Sequence, residues 1–183
     1  EMMDYLTKFK GLSEIQAAGV VSQAVNEGGL NEKAIGDNGS AVGMFQWHPD
    51  RQKNIEKQLG KSVDNMSWKE QTDAYLWEQN NSEKKSGNEL NKSKTLADST
   101  VAGLDSEHSK EWLQNGINGA DYKKRLQSTK DIYKYHSGKD ICGDIGFKIT
   151  LEDNRTTAQI THNNTPINTN LGDIETQTRR KTG

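Results

Sequence analysis

Glu27 stands apart from the other acidic residues because of its neighbours in the sequence. It follows the almost wholly apolar residues 15–25 and is followed directly by Gly28 and Gly29. At the C-terminal end of a helix, the helix dipole and apolar neighbours both disfavour an anion. We therefore predict that the pKa of Glu27 is raised, so that its carboxyl group keeps a proton near neutral pH and serves as a general acid. The alternative is a glutamate that faces water at a frayed helix end, since most glutamates are solvated.

The element that must position Glu27 is a helix with recognisable ends. Ser13, followed three residues later by Gln16, is a capping-box pattern. The residues after it are apolar nearly all round, as in a buried helix, and Gly28 and Gly29 supply a left-handed stop. The sequence therefore predicts a buried helix with Glu27 in its last turn.

The segment that follows is rich in glycine and ends in aromatic and amide side chains. Residues 28–47 contain five glycines, which predict a turn-rich loop or a small hairpin. An aromatic face beside an amide suits a sugar ring, which has an apolar face and a rim of hydroxyls. We predict a cleft role for Gln46, because a polar residue between Phe45 and Trp47 needs a partner. Phe45 and Trp47 themselves are equally typical of a core.

The rest of the N-terminal part is predicted to be mostly helical. Helices are expected near residues 2–9, 49–60, 90–104, 107–114 and 119–135. Ser67 with Glu70 forms a second capping box, and the helix behind it carries Trp68, Thr72, Tyr75, Leu76 and Gln79 on one face. From about residue 138 the composition changes. Residues 147–151 alternate as in a strand, and the Thr- and Asn-rich residues after them are typical of a linker or disordered arm.

Composition restricts the classes of function. The chain has 183 residues and a net charge of -2, so no electrostatic argument favours nucleic acid. No apolar run approaches the length of a membrane span. Cys142 is single, and the spacing of the four histidines, His48 among them, matches no metal motif. We therefore expect no metal and no cofactor, and the start at Glu1 rather than Met indicates a fragment of a longer protein.

Three stretches carry a resemblance to a known family. Residues 16–21, 26–31 and 36–47 resemble the phage tail lysozymes and, more distantly, lytic transglycosylases and goose-type lysozymes. In those proteins a Glu, a small residue and an Asn-containing turn precede a Gly-Ala-x-Gly-Leu-Met-Gln-like run. The resemblance covers roughly residues 3–137 and implies a lysozyme-like fold. It also implies cleavage of the β-1,4 bond between N-acetylmuramic acid and N-acetylglucosamine in bacterial peptidoglycan.

The resemblance assigns roles to individual residues. Glu27 takes the place of the catalytic acid, and Gln46 falls on the Gln of the substrate-cleft motif, with Ser40 and Trp47 in the same run as further substrate-binding candidates. Tyr122, near the start of the last helix, corresponds to a tyrosine that lies over the active site. The departure is at position 28, where many relatives carry a Ser that could orient the acid.

The reaction type stays open at this point. Hydrolysis needs a second carboxylate, at ~6.5–9.5 Å for water activation or ~5–5.5 Å for direct attack. A lytic transglycosylase needs none, because the 6-hydroxyl of the sugar closes the ring. Asp37 is the best candidate for the second catalytic residue and Asp50 a weaker one, although Asp37-Asn38-Gly39 is also what a tight turn requires.

Together these inferences predict a mainly α, lysozyme-like α+β domain over residues 1–137, with a small Gly-rich hairpin or loop beside the active site. Residues 138–183 are predicted to be an extended tail that packs on other virion proteins. The resemblance implies a virion enzyme, in the tail or among internal ejection components, that opens the host cell wall during phage genome entry. Two alternatives stay open: an inactive structural or peptidoglycan-binding virion protein on a lysozyme scaffold, and an ordinary helical scaffold domain.

Overall fold

The computed structural model of the protein describes residues 1–102, 120–138, 145–152, 155–162 and 165–169. The chain forms two compact units, residues 1–139 and 140–183. The first is mainly helical with one small two-stranded sheet, which confirms the predicted fold class. The helix predicted at 107–114 and the single cysteine lie outside the described residues. Within those residues, no helix is both long and apolar enough to cross a membrane.

The elements of the first unit follow in chain order. The helices are α1 (Met2–Asp4), α2 (Glu14–Gly28), α3 (Pro49–Leu59), α4 (Trp68–Asn80), α5 (Lys84–Lys92), α6 (Leu96–Ala102) and α7 (Ala120–Ser137). A π-helical turn, Tyr5–Phe9, continues α1, and single 3-10 turns span Asp37–Gly39 and Val63–Asn65. Strands β1 (Ile35–Gly36) and β2 (Ala41–Val42) form an antiparallel pair between α2 and α3.

Helix α2 is buried and capped as its sequence predicts. The Ser13 hydroxyl accepts the Gln16 N–H, and the Gln16 side chain accepts the Ser13 N–H at 2.9 Å. Seven residues between Ala17 and Ala24 are buried. At Gly19 the helix meets the backbone of α6 so closely that a Cβ there would lie 2.4 Å from the Ser99 carbonyl oxygen. The capping box therefore fixes where α2 starts, and glycine allows α6 to pack directly on it.

The single helix predicted across residues 90–104 is wrong. The structure has two helices, because a local capping box interrupts the run between α5 and α6. The Thr95 hydroxyl accepts the Asp98 N–H, and the Asp98 carboxylate accepts the Thr95 N–H, both at 3.1 Å. These two polar side chains start α6 anew.

Helix α4 begins at its predicted capping box. The Glu70 carboxylate accepts the Ser67 N–H at 2.8 Å and pairs with Lys61 at 2.7 Å. The bond from Lys61, followed by those from Ser67, lowers the pKa of Glu70 to about 2. The folded state therefore gains stability from this carboxylate above the ordinary pKa of 4.5, and that gain is lost as the pH falls toward about 2.

The buried face of α4 differs in part from the prediction. Thr72, Tyr75 and Gln79 are buried as expected, but Trp68 and Leu76 are half-buried. Two polar residues that the prediction missed, Gln71 and Glu78, are fully buried instead.

Gln71 and Glu78 hold the glycine-rich segment against α4. Gln71 accepts the Met44 N–H at 2.9 Å and donates to the Glu32 carbonyl oxygen at 2.8 Å. The Glu78 carboxylate accepts the indole N–H of Trp47 and two N–H groups of Arg51, at 2.9 and 2.8 Å. Hydrogen bonds from these buried side chains of α4 thus hold the segment between α2 and α3 in place.

The second unit contains a three-stranded antiparallel sheet in the order β3-β4-β5. Its strands are β3 (Ile145–Glu152), β4 (Arg155–His162) and β5 (Thr165–Thr169). The strand predicted at 147–151 is confirmed within β3. Strands β4 and β5 fall where the Thr and Asn content indicated a linker. Threonine is β-branched and suits a pleated surface, so its abundance is compatible with strands. The low apolar content of these residues is the reason that the sequence predicted a linker instead.

We expect Glu78→Gln to lower the free energy of unfolding by about 3 kcal/mol, because it leaves Arg51 without its buried counter-charge. Urea unfolding at neutral pH measures this. Glu56→Gln, on the exposed side of α3, is the matched control and should change stability by less than about 0.5 kcal/mol. Equal unfolding midpoints for both variants would contradict this account of the interior.

Candidate functional site

Glu27 lies in the last turn of α2, which is capped by Gly29 in the left-handed conformation (φ 62°). Its side chain is 28% exposed. One carboxylate oxygen, Oε1, lies 2.8 Å from a guanidinium nitrogen of Arg125 on α7 and accepts the Gln23 amide N–H at 3.2 Å. The prediction that apolar neighbours surround Glu27 is therefore wrong at the carboxylate itself, because the packing of α7 on α2 brings the Arg125 cation next to it.

Gly28 is required by a close approach between α2 and the glycine-rich segment. A Cβ at this position would lie 2.7 Å from the Gly43 carbonyl oxygen and 2.7 Å from Met44 Cα. Both are backbone atoms, which a small side-chain movement cannot relieve. The structure leaves no room for a serine side chain at position 28, because the end of α2 is in direct contact with the hairpin backbone.

The predicted small hairpin is confirmed. β1 and β2 pair with Ile35 opposite Val42 and Gly36 opposite Ala41. A further bridge joins Val42 to Trp47, whose backbone groups exchange hydrogen bonds of 3.1 and 2.9 Å. The segment therefore folds back twice directly after the helix that carries Glu27.

Backbone strain is concentrated in this segment. Among the described residues, the non-glycine positions with positive φ are Leu30, Asp37, Asn38 and Gln46, at 46–60°. Each such residue costs about 1–2 kcal/mol relative to its usual conformation. All four lie within 20 positions of Glu27 in the sequence. Strain of this kind persists where surrounding contacts impose it, and it is frequent at functional sites.

Gln46 is half-buried and stabilises its own turn. Its amide Nε2 donates to the Gly43 carbonyl oxygen at 2.9 Å. Its Oε1 occupies the space above Gly36, where a Cβ would lie 2.1 Å away. The partner that the sequence argument required for this amide is thus the backbone of the hairpin, and its contact with substrate stays a prediction.

Trp47 does not offer a surface for sugar binding in this structure. It is 0% exposed, it donates to Glu78, and it lies beside Phe45 with ring centroids 5.2 Å apart. Phe45 in turn stacks on Tyr75 at 4.2 Å. Burial raises the pKa of the Tyr75 hydroxyl, so this side chain belongs to the uncharged interior. The substrate-binding prediction for Trp47 is corrected to a core role.

The other predicted site residues occupy different environments. Ser40 is half-buried and its hydroxyl donates to the Asp37 carbonyl oxygen at 2.9 Å. Tyr122 is buried in the first turn of α7, three residues before Arg125 and so on the same side of that helix. Asp50 is exposed in the first turn of α3.

Asp37 is an exposed carboxylate with a histidine partner. Its Oδ2 lies 3.2 Å from Nε2 of His48, and the two side chains are 66% and 57% exposed. His48 is thus a surface residue with a local polar partner. Among the residues that the structure describes, no three His, Cys, Asp or Glu side chains are grouped as metal ligands would be.

Most of the chain matches a known protein family. Residues 1–136 match the family model described as phage tail lysozyme. No curated protein and no solved structure matches the chain. The matched range contains α2, the hairpin, α4 and all but the last residue of α7, and thus every residue placed in the site above.

We expect Gly28→Ser to lower the free energy of unfolding by about 2 kcal/mol, because the added atoms meet backbone. Thermal or urea unfolding measures the loss. Gly29→Asn is the control: a Cβ there meets nothing within 4 Å, and Asn tolerates the left-handed conformation, so the change should stay below about 1 kcal/mol. A Gly28→Ser protein as stable as the parent would show that the close approach is absent.

Proposed function

Because this chain belongs to the phage tail lysozyme family, we propose that it cleaves the β-1,4 glycosidic bond between N-acetylmuramic acid and N-acetylglucosamine in bacterial peptidoglycan. The observation that supports this most directly is the setting of Glu27. Glu27 stands at the end of a buried helix and is partly exposed. The end of that helix is in direct backbone contact with a strained hairpin.

In this proposal Glu27 is the general acid. It gives a proton to the oxygen that bridges the two sugars, and positive charge grows on the muramic acid ring as the bond breaks. A water molecule or the 6-hydroxyl of the same sugar then attacks, and Glu27 takes the proton released. The first route is that of a lysozyme and the second that of a lytic transglycosylase.

We further propose that the protein acts as a virion component in the host cell envelope during genome entry. Its proposed partners are peptidoglycan and, through residues 138–183, other virion proteins. The second candidate function is an inactive structural or peptidoglycan-binding virion protein. The observation behind that alternative is the Glu27–Arg125 ion pair, which engages one oxygen of the acid with a protein group.

Glu27→Gln should lower the release of soluble glycan from purified cell walls by about 10²–10⁴-fold, the usual contribution of a general acid. The amide cannot donate a proton to the bridging oxygen, whereas the fold should be unchanged by circular dichroism. Glu56→Gln, exposed on α3, is the control for loss of a carboxylate elsewhere. Undiminished release by the Glu27 variant would remove the proposed mechanism. A parent protein that binds cell walls but releases nothing would support the inactive alternative.

Asp37→Asn tests the second carboxylate. If Asp37 serves hydrolysis, the variant should lose at least about 100-fold in rate, and products of the parent should carry reducing ends in mass spectrometry. His48→Gln is the matched variant, because it removes the neighbour but keeps the carboxylate, and it should stay within a few-fold of the parent. Near-normal rates for Asp37→Asn with 1,6-anhydro products would exclude Asp37 from catalysis and assign transglycosylation.

A further inference from the structure

The contacts of Glu27 are unequally shared between its two carboxylate oxygens. Arg125 and Gln23 both approach Oε1, at 2.8 and 3.2 Å. The other oxygen, Oε2, makes no hydrogen bond to any of the described residues. With the side chain 28% exposed, one oxygen is held by protein and the other is left for water or a ligand.

Arg125 is itself held firmly. Its side chain is only 11% exposed, and its guanidinium contacts the Gln23 Oε1 at 3.1 Å and the Asp121 carboxylate at 3.3 Å. Its backbone carbonyl oxygen accepts a hydrogen bond from the hydroxyl of Ser22, which lies on α2 one turn before Asn26. The guanidinium therefore stands in a fixed place relative to the last two turns of the acid's helix.

Gln23, Glu27 and Arg125 form a triangle of polar contacts between α2 and α7, made of two hydrogen bonds and one ion pair. Gln23 donates to Glu27 through its amide nitrogen and accepts from Arg125 through its amide oxygen. Gln23 and Glu27 are four residues apart and share a helix face. The triangle thus fixes the rotation of the Glu27 carboxyl group as well as its position.

We propose that Arg125 and Gln23 are positioning residues for the glycosidase reaction and assign the transferable proton to Oε2 of Glu27. This inference rests on the proposed function. Because Oε1 already accepts the Gln23 hydrogen bond and faces the Arg125 cation, a proton on the carboxyl group belongs on Oε2. That proton passes to the bridging oxygen while the bond from this oxygen to the muramic acid carbon breaks. The electron pair left on the carboxylate is shared with Oε1, where Arg125 faces it.

The same arrangement accounts for the return of the proton. When water or the sugar 6-hydroxyl attacks, its proton goes back to Oε2, which the positioning residues have kept free. Arg125 need not contact the sugar in either step. Its removal should therefore affect turnover, while substrate affinity stays nearly the same.

The test uses Arg125→Met, Arg125→Lys and Gln23→Leu in the full chain, with soluble glycan oligomers freed of stem peptides as substrate. Arg125→Met should lower kcat by about 100-fold with KM within about 2-fold, since misplacing a reacting group by about 1 Å has this effect. Added guanidinium at millimolar concentration should restore part of kcat, and ammonium should not. Lys124→Met, exposed on the same helix, is the control and should leave both constants unchanged.

The conservative variants keep the test decisive if Arg125→Met folds poorly. Arg125→Lys keeps the charge but cannot reach Glu27, Gln23 and Asp121 together, so its kcat should fall by about 10-fold. The kcat of Gln23→Leu should fall less than that of Arg125→Met. Combining the two substitutions should lower kcat little further, because both residues act on one oxygen. All rates are taken where circular dichroism shows the folded state.

The outcomes separate this inference from the function on which it rests. A folded Arg125→Met or Arg125→Lys protein with the kcat of the parent, alongside an inactive Glu27→Gln protein, would overturn the positioning role alone. Loss of kcat that tracks only loss of folded protein, without rescue by guanidinium, would also overturn it. A Glu27→Gln protein as active as the parent would overturn the proposed function and this inference together.

Discussion

The buried side chains of Gln71 and Glu78 on α4 are the constraint on which the rest of the site depends. They lie seven residues apart, two turns and about 10 Å along one helix face. An unpaired carboxylate at the position of Glu78 would be strongly unfavourable, so its hydrogen bonds to Trp47 and Arg51 must form together with the fold. Those bonds hold the glycine-rich segment from its inner side and allow it to keep strained backbone conformations on its outer side.

Glu27 is fixed from two further directions. The end of its helix touches the backbone at Gly43 and Met44 with no side chain between, and its carboxylate is held through Oε1 by Arg125 on α7. One contact sets where the helix ends and the other sets how the carboxyl group is turned. The position of the acid thus results from the packing of α2, the hairpin that follows it and the sequence-distant α7, and such fixed positioning is what preorganised catalysis requires.

Local chemistry made much of the fold predictable. Capping boxes at Ser13 and Ser67 mark helix starts with side chains three residues apart, and glycines between Gly28 and Gly43 mark turns. Such signals need no knowledge of tertiary structure. They also misled in part: the apolar spacing across residues 90–104 favoured one helix, while Thr95 with Asp98 started a new one.

The site was less predictable, because its decisive contacts are long-range. Nothing near Glu27 in the sequence indicates that Arg125 is its partner, and nothing near Trp47 indicates a buried carboxylate behind its indole. The chemical types of Glu27, Asp37 and Gln46 were sufficient to name them as candidates. Only packing shows which of their atoms are already engaged.

Gly28 places no side chain between the end of α2 and the hairpin. A Cβ there would stand 2.7 Å from backbone that ordinary van der Waals contact keeps at 3.4–4 Å, so any larger residue would push hairpin and helix apart by roughly 1 Å. The size of this one residue therefore sets how closely the hairpin approaches the end of the helix that carries Glu27. A bulkier residue at this position would require a different hairpin path, so the two features would have to change in concert during evolution.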